Sequence, residues 1–128
     1  MFKIYFRLRK RKRIRRRSPS AKKYKLYKEA ARQLAHERLG YFNRHYKFKI
    51  GKVAIRNQKS RWGSCSTKGN LNFNYKISLI PQYLSDYVIV HELCHLGQFN
   101  HSQKFWDLVA ETLPDWPKLR AELKKIRI

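Results

Sequence analysis

The stretch Val88-Ile89-Val90-His91-Glu92-Leu93-Cys94-His95-Leu96 decides how the rest of the chain is organised. It places His-Glu-x-x-His inside an apolar run, which is typical of a buried helix. Histidines four residues apart on a helix lie within about 40° of each other, so both imidazoles can reach one metal ion. Glu92 lies beside the first histidine and can polarise a metal-bound water. Zinc with nitrogen ligands and one open position is the usual occupant of such a site.

A third ligand has two candidates downstream. His101 follows His95 after five intervening residues and is close enough to return to the metal. Glu111 is the carboxylate alternative, but it shares a polar stripe at helical spacing with Lys104 and Asp107. Such a stripe is typical of a solvated helix face. We therefore predict His101 as the third ligand and one zinc ion per chain.

Further motifs surround this stretch in a recognisable order. They are RWGSCS at 61–66, NLNFN at 70–74, DYVIVHELCHL at 86–96, NHS at 100–102 and FW at 105–106. On these motifs the chain resembles the YgjP-like metallopeptidases from about Lys22 to its end. The resemblance implies a minimal zincin fold, with His91, His95 and His101 as metal ligands and Glu92 as general base. The related WLM and SprT-like peptidases are similar in layout, and members of both groups act on DNA-bound proteins.

The charge of the chain is extreme, because 31 Lys and Arg residues against 8 Asp and Glu residues give +23. Ten of the first 17 residues are Lys or Arg, and none is acidic. We predict that residues 1–17 form a basic N-terminal arm or edge strand and that residues 18–128 form the zincin-like metallopeptidase domain. The strand alternative rests on apolar residues that alternate with basic ones near the start of the chain. The arm is either a solvated tail or a non-specific contact to nucleic-acid phosphates.

The expected location of the protein follows from features that the sequence lacks. It has no apolar run long enough for a membrane span, and basic residues from Lys3 onward interrupt any signal-peptide core. Two cysteines, Cys65 and Cys94, do not suggest a disulfide framework. We expect a cytoplasmic protein, if the source is a prokaryote. Its expected partners are a protein or peptide substrate and, through the basic arm, non-specific nucleic acid.

Local patterns predict an α+β fold. Ser18-Pro19 is typical of a helix start, and this helix should extend to about Phe42. Extended segments at 49–57 and 61–66, and a strand from residue 70 to Pro81, predict a small, mainly antiparallel sheet with a hairpin near Gly69. This sheet should pack on the N-terminal helix and on the His-Glu-x-x-His helix, which Ser85 can cap. Helices at about 103–113 and from Asp115 onward complete the domain.

A sheet edge beside the metal could hold an extended substrate by main-chain hydrogen bonds. Either the segment 61–65 or the strand that contains Asn72 could supply that edge, so we name Arg61, Trp62 and Asn72 as substrate-binding candidates. Trp62 could instead be a core or lid residue, and Arg61 could pair with Asp86. Candidates for an oxyanion donor, by side-chain chemistry alone, are Tyr75, Tyr83 and Tyr87.

Two functions from different classes fit the sequence. The first is a zinc-dependent peptidase in which Glu92 takes the proton of a water molecule as it attacks a peptide carbonyl. The second is a nucleic-acid-binding protein with a structural or vestigial metal site. The high positive charge favours the second function, but a structural site has no need of Glu92. A DNA-associated protease would combine the two.

Overall fold

The computed structural model describes residues 18–128, so the predicted arm or edge strand at 1–17 lies outside the described residues. The described chain has an α+β fold, as predicted. Its elements are α1 (Pro19–Tyr46), β1 (Val53–Arg56), β2 (Gly63–Cys65), β3 (Leu71–Asn74), a 3₁₀ helix (Tyr75–Leu79), α2 (Gln82–Cys94), α3 (Gln103–Thr112) and α4 (Trp116–Lys124).

The long helix α1 begins where its sequence signals place it. The Ser18 hydroxyl accepts a hydrogen bond from the Ala21 amide at 3.1 Å, and Pro19 occupies the first helical position. The helix ends at Tyr46, and the capping residue Lys47 adopts a left-handed conformation with φ of 58°. It therefore extends four residues beyond the predicted end at Phe42. A buried stripe of Ala31, Ala35, Leu39 and Phe42 holds α1 on the core.

The sheet is mixed, whereas the patterns predicted a mainly antiparallel one. Its strand order is β1-β3-β2. The hairpin through Gly69, whose φ is +85°, pairs β2 antiparallel to β3. Strand β1 then occupies the opposite edge and pairs parallel to β3. Because β3 has a partner on each side, β2 is an edge of the sheet as far as the described part of the chain shows.

The strand predicted to reach Pro81 ends at Asn74 instead, and a 3₁₀ helix replaces its second half. The Asn74 side-chain oxygen accepts a hydrogen bond from the Lys76 amide at 3.0 Å. Its side-chain nitrogen donates to the main-chain oxygens of Gln58 and Arg61. Asn74 is fully buried and ends the strand by these bonds.

Helix α2 is the centre of the core, because ten of its 13 residues are buried. It begins at Gln82, after Pro81, so the prediction that Ser85 caps it is wrong. The Ser85 hydroxyl donates instead to the main-chain oxygen of Ile77 at 2.7 Å, which ties α2 to the 3₁₀ helix. Asp86 accepts two hydrogen bonds from Arg38 of α1, at 2.8 and 3.0 Å.

The last two helices begin near the predicted positions, after Ser102 and Asp115. They cover the end of α2 that carries His91. None of the helices described within residues 18–128 is long and apolar enough to cross a membrane.

Candidate metal centre and cleft

The three predicted histidines converge on one point. The Nε2 atom of His101 lies 3.1 Å from Nε2 of His91 and 3.1 Å from Nε2 of His95. One nitrogen from each ring lies within 4.8 Å of the others. His91 belongs to α2 and His95 follows its last residue, while the turn after His95 returns the chain so that His101 meets them. Nitrogen ligands about 2.0–2.1 Å from a tetrahedral zinc ion lie roughly 3.3 Å apart, so the cluster fits such an ion.

Hydrogen bonds at the other ring nitrogens orient the cluster. The Nδ1 atom of His95 lies 3.0 Å from the main-chain oxygen of Gln98. A carbonyl only accepts, so this Nδ1 carries the proton and Nε2 of His95 carries a lone pair. The hydroxyl of Tyr87 lies 3.3 Å from Nδ1 of His91 and gives that ring a comparable partner. Such contacts to the second nitrogen are typical of histidines that bind metals.

The three nitrogens cannot all satisfy one another by hydrogen bonds. His101 Nε2 carries at most one proton, so it can donate to only one of its two neighbours. Burial lowers the pKa of His91 to about 3, and it also lowers the pKa of His95. Both rings are therefore neutral at pH 7, which is the form that binds a metal. A metal cation bound by the lone pairs of the three Nε2 atoms would give each of these nitrogens a partner.

Aromatic side chains of α3 support the histidine rings. His95 stacks on Phe105, with ring centroids 4.4 Å apart and planes at 21°. His101 stacks on Trp106, with centroids 5.7 Å apart and planes at 23°. Trp106 stacks in turn on Trp116 of α4 at 4.0 Å. The three predicted ligands are thus held by packing from the C-terminal helices, which limits the conformations that their rings can adopt.

Glu92 is buried beside the cluster and against β2. Burial raises the pKa of Glu92 to about 8, and the positive charge of Arg61 opposes this rise. Gly63 of β2 lies against the Glu92 side chain. A buried carboxyl with a raised pKa next to a possible metal site has the properties of a general base.

Two cavities adjoin the histidine cluster. The larger, of about 430 Å³, extends toward α4, and the smaller, of about 250 Å³, extends along β2 toward Phe99. Arg61, Gly63, His91 and Glu92 line both of them. Together they form a cleft that passes the histidine cluster along β2, an edge strand of the sheet within residues 18–128.

The substrate-binding candidates lie at different distances from this cleft. Arg61 is exposed and lines both cavities, and Trp62 is half-buried and lines the larger one. The Asn72 amide donates to the Ser64 hydroxyl at 3.3 Å and lines neither cavity. The alternative that its strand supplies the edge is wrong, because β3 is the central strand. Arg61 does not pair with Asp86 either, since Arg38 occupies that carboxylate.

The remaining candidates are separated by the fold. Glu111 lies apart from the histidine cluster and its carboxylate contacts His45 at 2.8 Å. Tyr87 lines the larger cavity, whereas Tyr75 is fully buried in the core and the Tyr83 hydroxyl donates to Glu122.

Arg120 and Lys124 of α4 also line the larger cavity, and sequence reasoning missed them. Two basic residues four apart on an exposed helix carry no local sign that they face a cleft.

Comparison with known proteins agrees with this geometry. The sequence profile of the YgjP-like family, described as its metallopeptidase domain, matches residues 4–126. The chain belongs to the YgjP-like metallopeptidase family. The match begins earlier than the resemblance noted from about Lys22, so it includes most of the basic N-terminal segment. A search of curated proteins found no significant match to this YgjP-like chain.

Two solved structures resemble this YgjP-like fold. The metallopeptidase zymogen abylysin of Pyrococcus abyssi has a TM-score of 0.56 and is 24% identical, with 76% of this chain and 91% of that chain covered. The metallopeptidase zymogen jannalysin of Methanocaldococcus jannaschii has a TM-score of 0.54 and is 25% identical, with 75% and 97% covered. The zincin-like architecture is therefore shared with known metallopeptidases.

Proposed function

We propose that this YgjP-like metallopeptidase is a zinc-dependent peptidase that holds one zinc ion with His91, His95 and His101. Glu92 acts as the general base in the hydrolysis of a peptide bond. One observation carries the proposal: three imidazole nitrogens converge beside a buried carboxyl at the floor of an open cleft. A bound zinc ion supplies Lewis acidity toward a water molecule and a peptide carbonyl.

Glu92 is suited to move a proton. Burial favours its protonated form, so the carboxylate is a stronger base than an exposed glutamate. It can accept a proton from water and later donate it to the leaving amine nitrogen. The charge of Arg61 favours the ionised form and limits the rise in the pKa of Glu92. These opposing effects keep both protonation states accessible, as a proton carrier requires.

The free edge of β2 is the proposed site for the substrate backbone. Within residues 18–128, strand β2 pairs with β3 on one side only, so its other edge can form main-chain hydrogen bonds with an extended peptide. Such bonds do not depend on side chains, which suits flexible or unfolded protein substrates. Arg61 and Trp62 would contact the substrate directly, and Asn72 would act only by positioning Ser64.

The substitution Glu92→Gln tests this function. It keeps the size of the side chain but removes the base. We expect the variant to retain about one zinc ion per chain and to lose roughly a hundredfold or more of its activity on an unfolded protein substrate. Glu111→Gln is the matched control, because it makes the same change outside the cleft and should leave activity unchanged. Undiminished cleavage by Glu92→Gln would contradict the proposed role.

A second candidate function is non-specific binding to nucleic acid through residues 1–17. Its support is the sequence alone, since ten of these residues are basic and none is acidic. Combined with the peptidase, it would give a DNA-associated protease. Contacts to phosphates would hold the enzyme on nucleic acid without specifying a sequence.

A further inference from the structure

Three cations face the larger cavity without an acidic partner. Arg61 reaches it from the segment before β2, and Arg120 and Lys124 reach it from consecutive turns of α4. We call these three residues the cleft cations. None of them forms an ion pair within residues 18–128, where the ion pairs found involve Arg32, Arg38 and His45. Their charges are therefore available to a ligand that enters the cleft.

Two cleft cations lie close enough to influence the proposed reacting groups. Arg120 lines the same cavity as Tyr87 and His91, and its guanidinium lies 5.6 Å from the centre of the Trp106 ring. Arg61 lines both cavities beside Glu92. The cations thus share a cavity with His91 and Glu92, so an anionic group bound to them would be near the scissile bond.

The rest of the cavity wall restricts the size and polarity of the ligand that can bind there. Trp62, Val88 and Leu123 contribute apolar surface, and Glu92 is the one acidic side chain among the described lining residues. The main-chain oxygen of the last residue, Ile128, accepts a hydrogen bond from Lys76. A volume of about 430 Å³ admits a few side chains but not a folded domain. The cavity combines an apolar floor with a cationic rim, which suits the methylene groups and the carboxylate of an acidic side chain.

We propose that the larger cavity is a subsite for acidic side chains, so that the enzyme prefers peptide segments with Asp or Glu beside the cleaved bond. This proposal rests on the proposed peptidase function. Each exposed ion pair should change affinity roughly 1.5- to 5-fold, and added salt should weaken the preference. The subsite would therefore bias the choice of cleavage site without imposing a strict sequence.

Binding can be measured without turnover in the zinc-loaded Glu92→Gln protein. Two fluorescent peptides are compared by anisotropy, identical except that Glu residues flanking the central bond are Gln in the second. We expect the Glu peptide to bind roughly three- to tenfold more tightly at low salt. In that background Lys124→Glu should abolish or reverse the ratio, whereas Arg120→Lys should keep it. Lys124 is exposed, so its replacement should not prevent folding.

The matched control is Lys118→Glu, which makes the same change in net charge on the exposed face of α4 outside the cavity. It should leave the ratio nearly unchanged. An equal loss in Lys118→Glu would overturn the proposal, because overall charge would then explain the preference. Equal binding of the two peptides would also overturn it.

If the Glu peptide binds selectively but wild-type enzyme cleaves neither peptide, the peptidase proposal fails and the subsite stands. If wild type cleaves both equally and Glu92 is required, the subsite fails and the peptidase stands.

Discussion

Gly63 lies so close to Glu92 that a β-carbon at position 63 would be 3.0 Å from Glu92 Cγ and 3.3 Å from its Oε2. The same β-carbon would be 3.0 Å from the main-chain oxygen of Asn72. Gly63 has no positive φ, so the need for glycine arises from this close approach and not from backbone conformation. The absence of a side chain at position 63 lets β2 and the proposed base, Glu92, lie side by side in one wall of the cleft.

Gly63→Ala should therefore displace either Glu92 or β2 by a few tenths of an ångström. Because catalysis is sensitive to small misplacements of the base, we expect kcat to fall about tenfold or more. Zinc content, measured by elemental analysis, should be unchanged. Gly40→Ala is the control, since no described atom lies within 4 Å of its added β-carbon. It should stabilise α1 by about 1 kcal/mol and leave kcat unchanged. Full activity in Gly63→Ala would show that the contact has no catalytic importance.

Removal of the third histidine should separate the two ligand candidates. His101→Ala deletes one of three converging nitrogens, so zinc affinity measured by chelator competition should fall roughly a hundredfold or more. Glu111→Ala removes a carboxylate that contacts His45 and should leave zinc affinity unchanged. A loss of zinc in Glu111→Ala, with normal binding in His101→Ala, would show that the proposed ligand set is incorrect.

The Arg38–Asp86 pair should stabilise the contact between α1 and α2. The side chains are only 19% and 12% exposed, and the pair is bidentate. Asp86→Asn leaves the guanidinium without its partner, so we expect a loss of about 2 kcal/mol in the free energy of unfolding in urea. Glu29→Gln breaks an exposed pair with Arg32 on one helix and should change stability by less than about 0.5 kcal/mol. Equal effects would contradict a special role for the Arg38–Asp86 pair.

The thiol of Cys65 should react slowly in the folded, metal-free protein. Burial raises the pKa of Cys65 to about 11, and the charge of Glu92 contributes to the rise. At pH 8 the thiolate fraction, and hence the rate of alkylation by iodoacetamide, should be roughly a hundredfold below that of the denatured chain. The rate should rise about tenfold per pH unit until the pH approaches 11. Mass spectrometry can locate the alkylated cysteine. Rapid alkylation of Cys65 at pH 8 would contradict the raised pKa of its thiol.

Deletion of residues 1–17 should separate nucleic-acid binding from catalysis. The deletion removes ten basic residues but none of the proposed zinc ligands or Glu92. We expect unchanged zinc content and peptide cleavage, weaker binding to DNA or RNA, and a shallower dependence of affinity on salt. A melting curve must show that the truncated protein is folded, because the deleted segment contains the predicted edge strand. Unchanged affinity and salt dependence in a folded truncated protein would show that the arm does not bind nucleic acid.

Local sequence predicted the features that depend on neighbours along the chain. The start of α1 at Ser18-Pro19 follows from capping and from the fixed φ of proline. The presence of His91 and His95 on one side of α2 follows from helical periodicity, and the glycine turn at 69 follows from its positive φ. Each of these properties is set within a few residues, and no distant contact overturned it.

Tertiary packing alone decided the relationships between distant segments. Strand β1 pairs parallel to β3 at the edge that the β2–β3 hairpin does not use, and periodicity contains no information on strand order or direction. Arg38 pairs with Asp86 because α1 packs against α2 at that turn. Arg61 is therefore not bound to Asp86 and lines the cleft instead. Arg120 and Lys124 became part of the cleft only because α4 packs beside α2. Sequence alone therefore determined which groups could bind a metal, whereas the packing of helices from opposite ends of the domain decided which charges surround them.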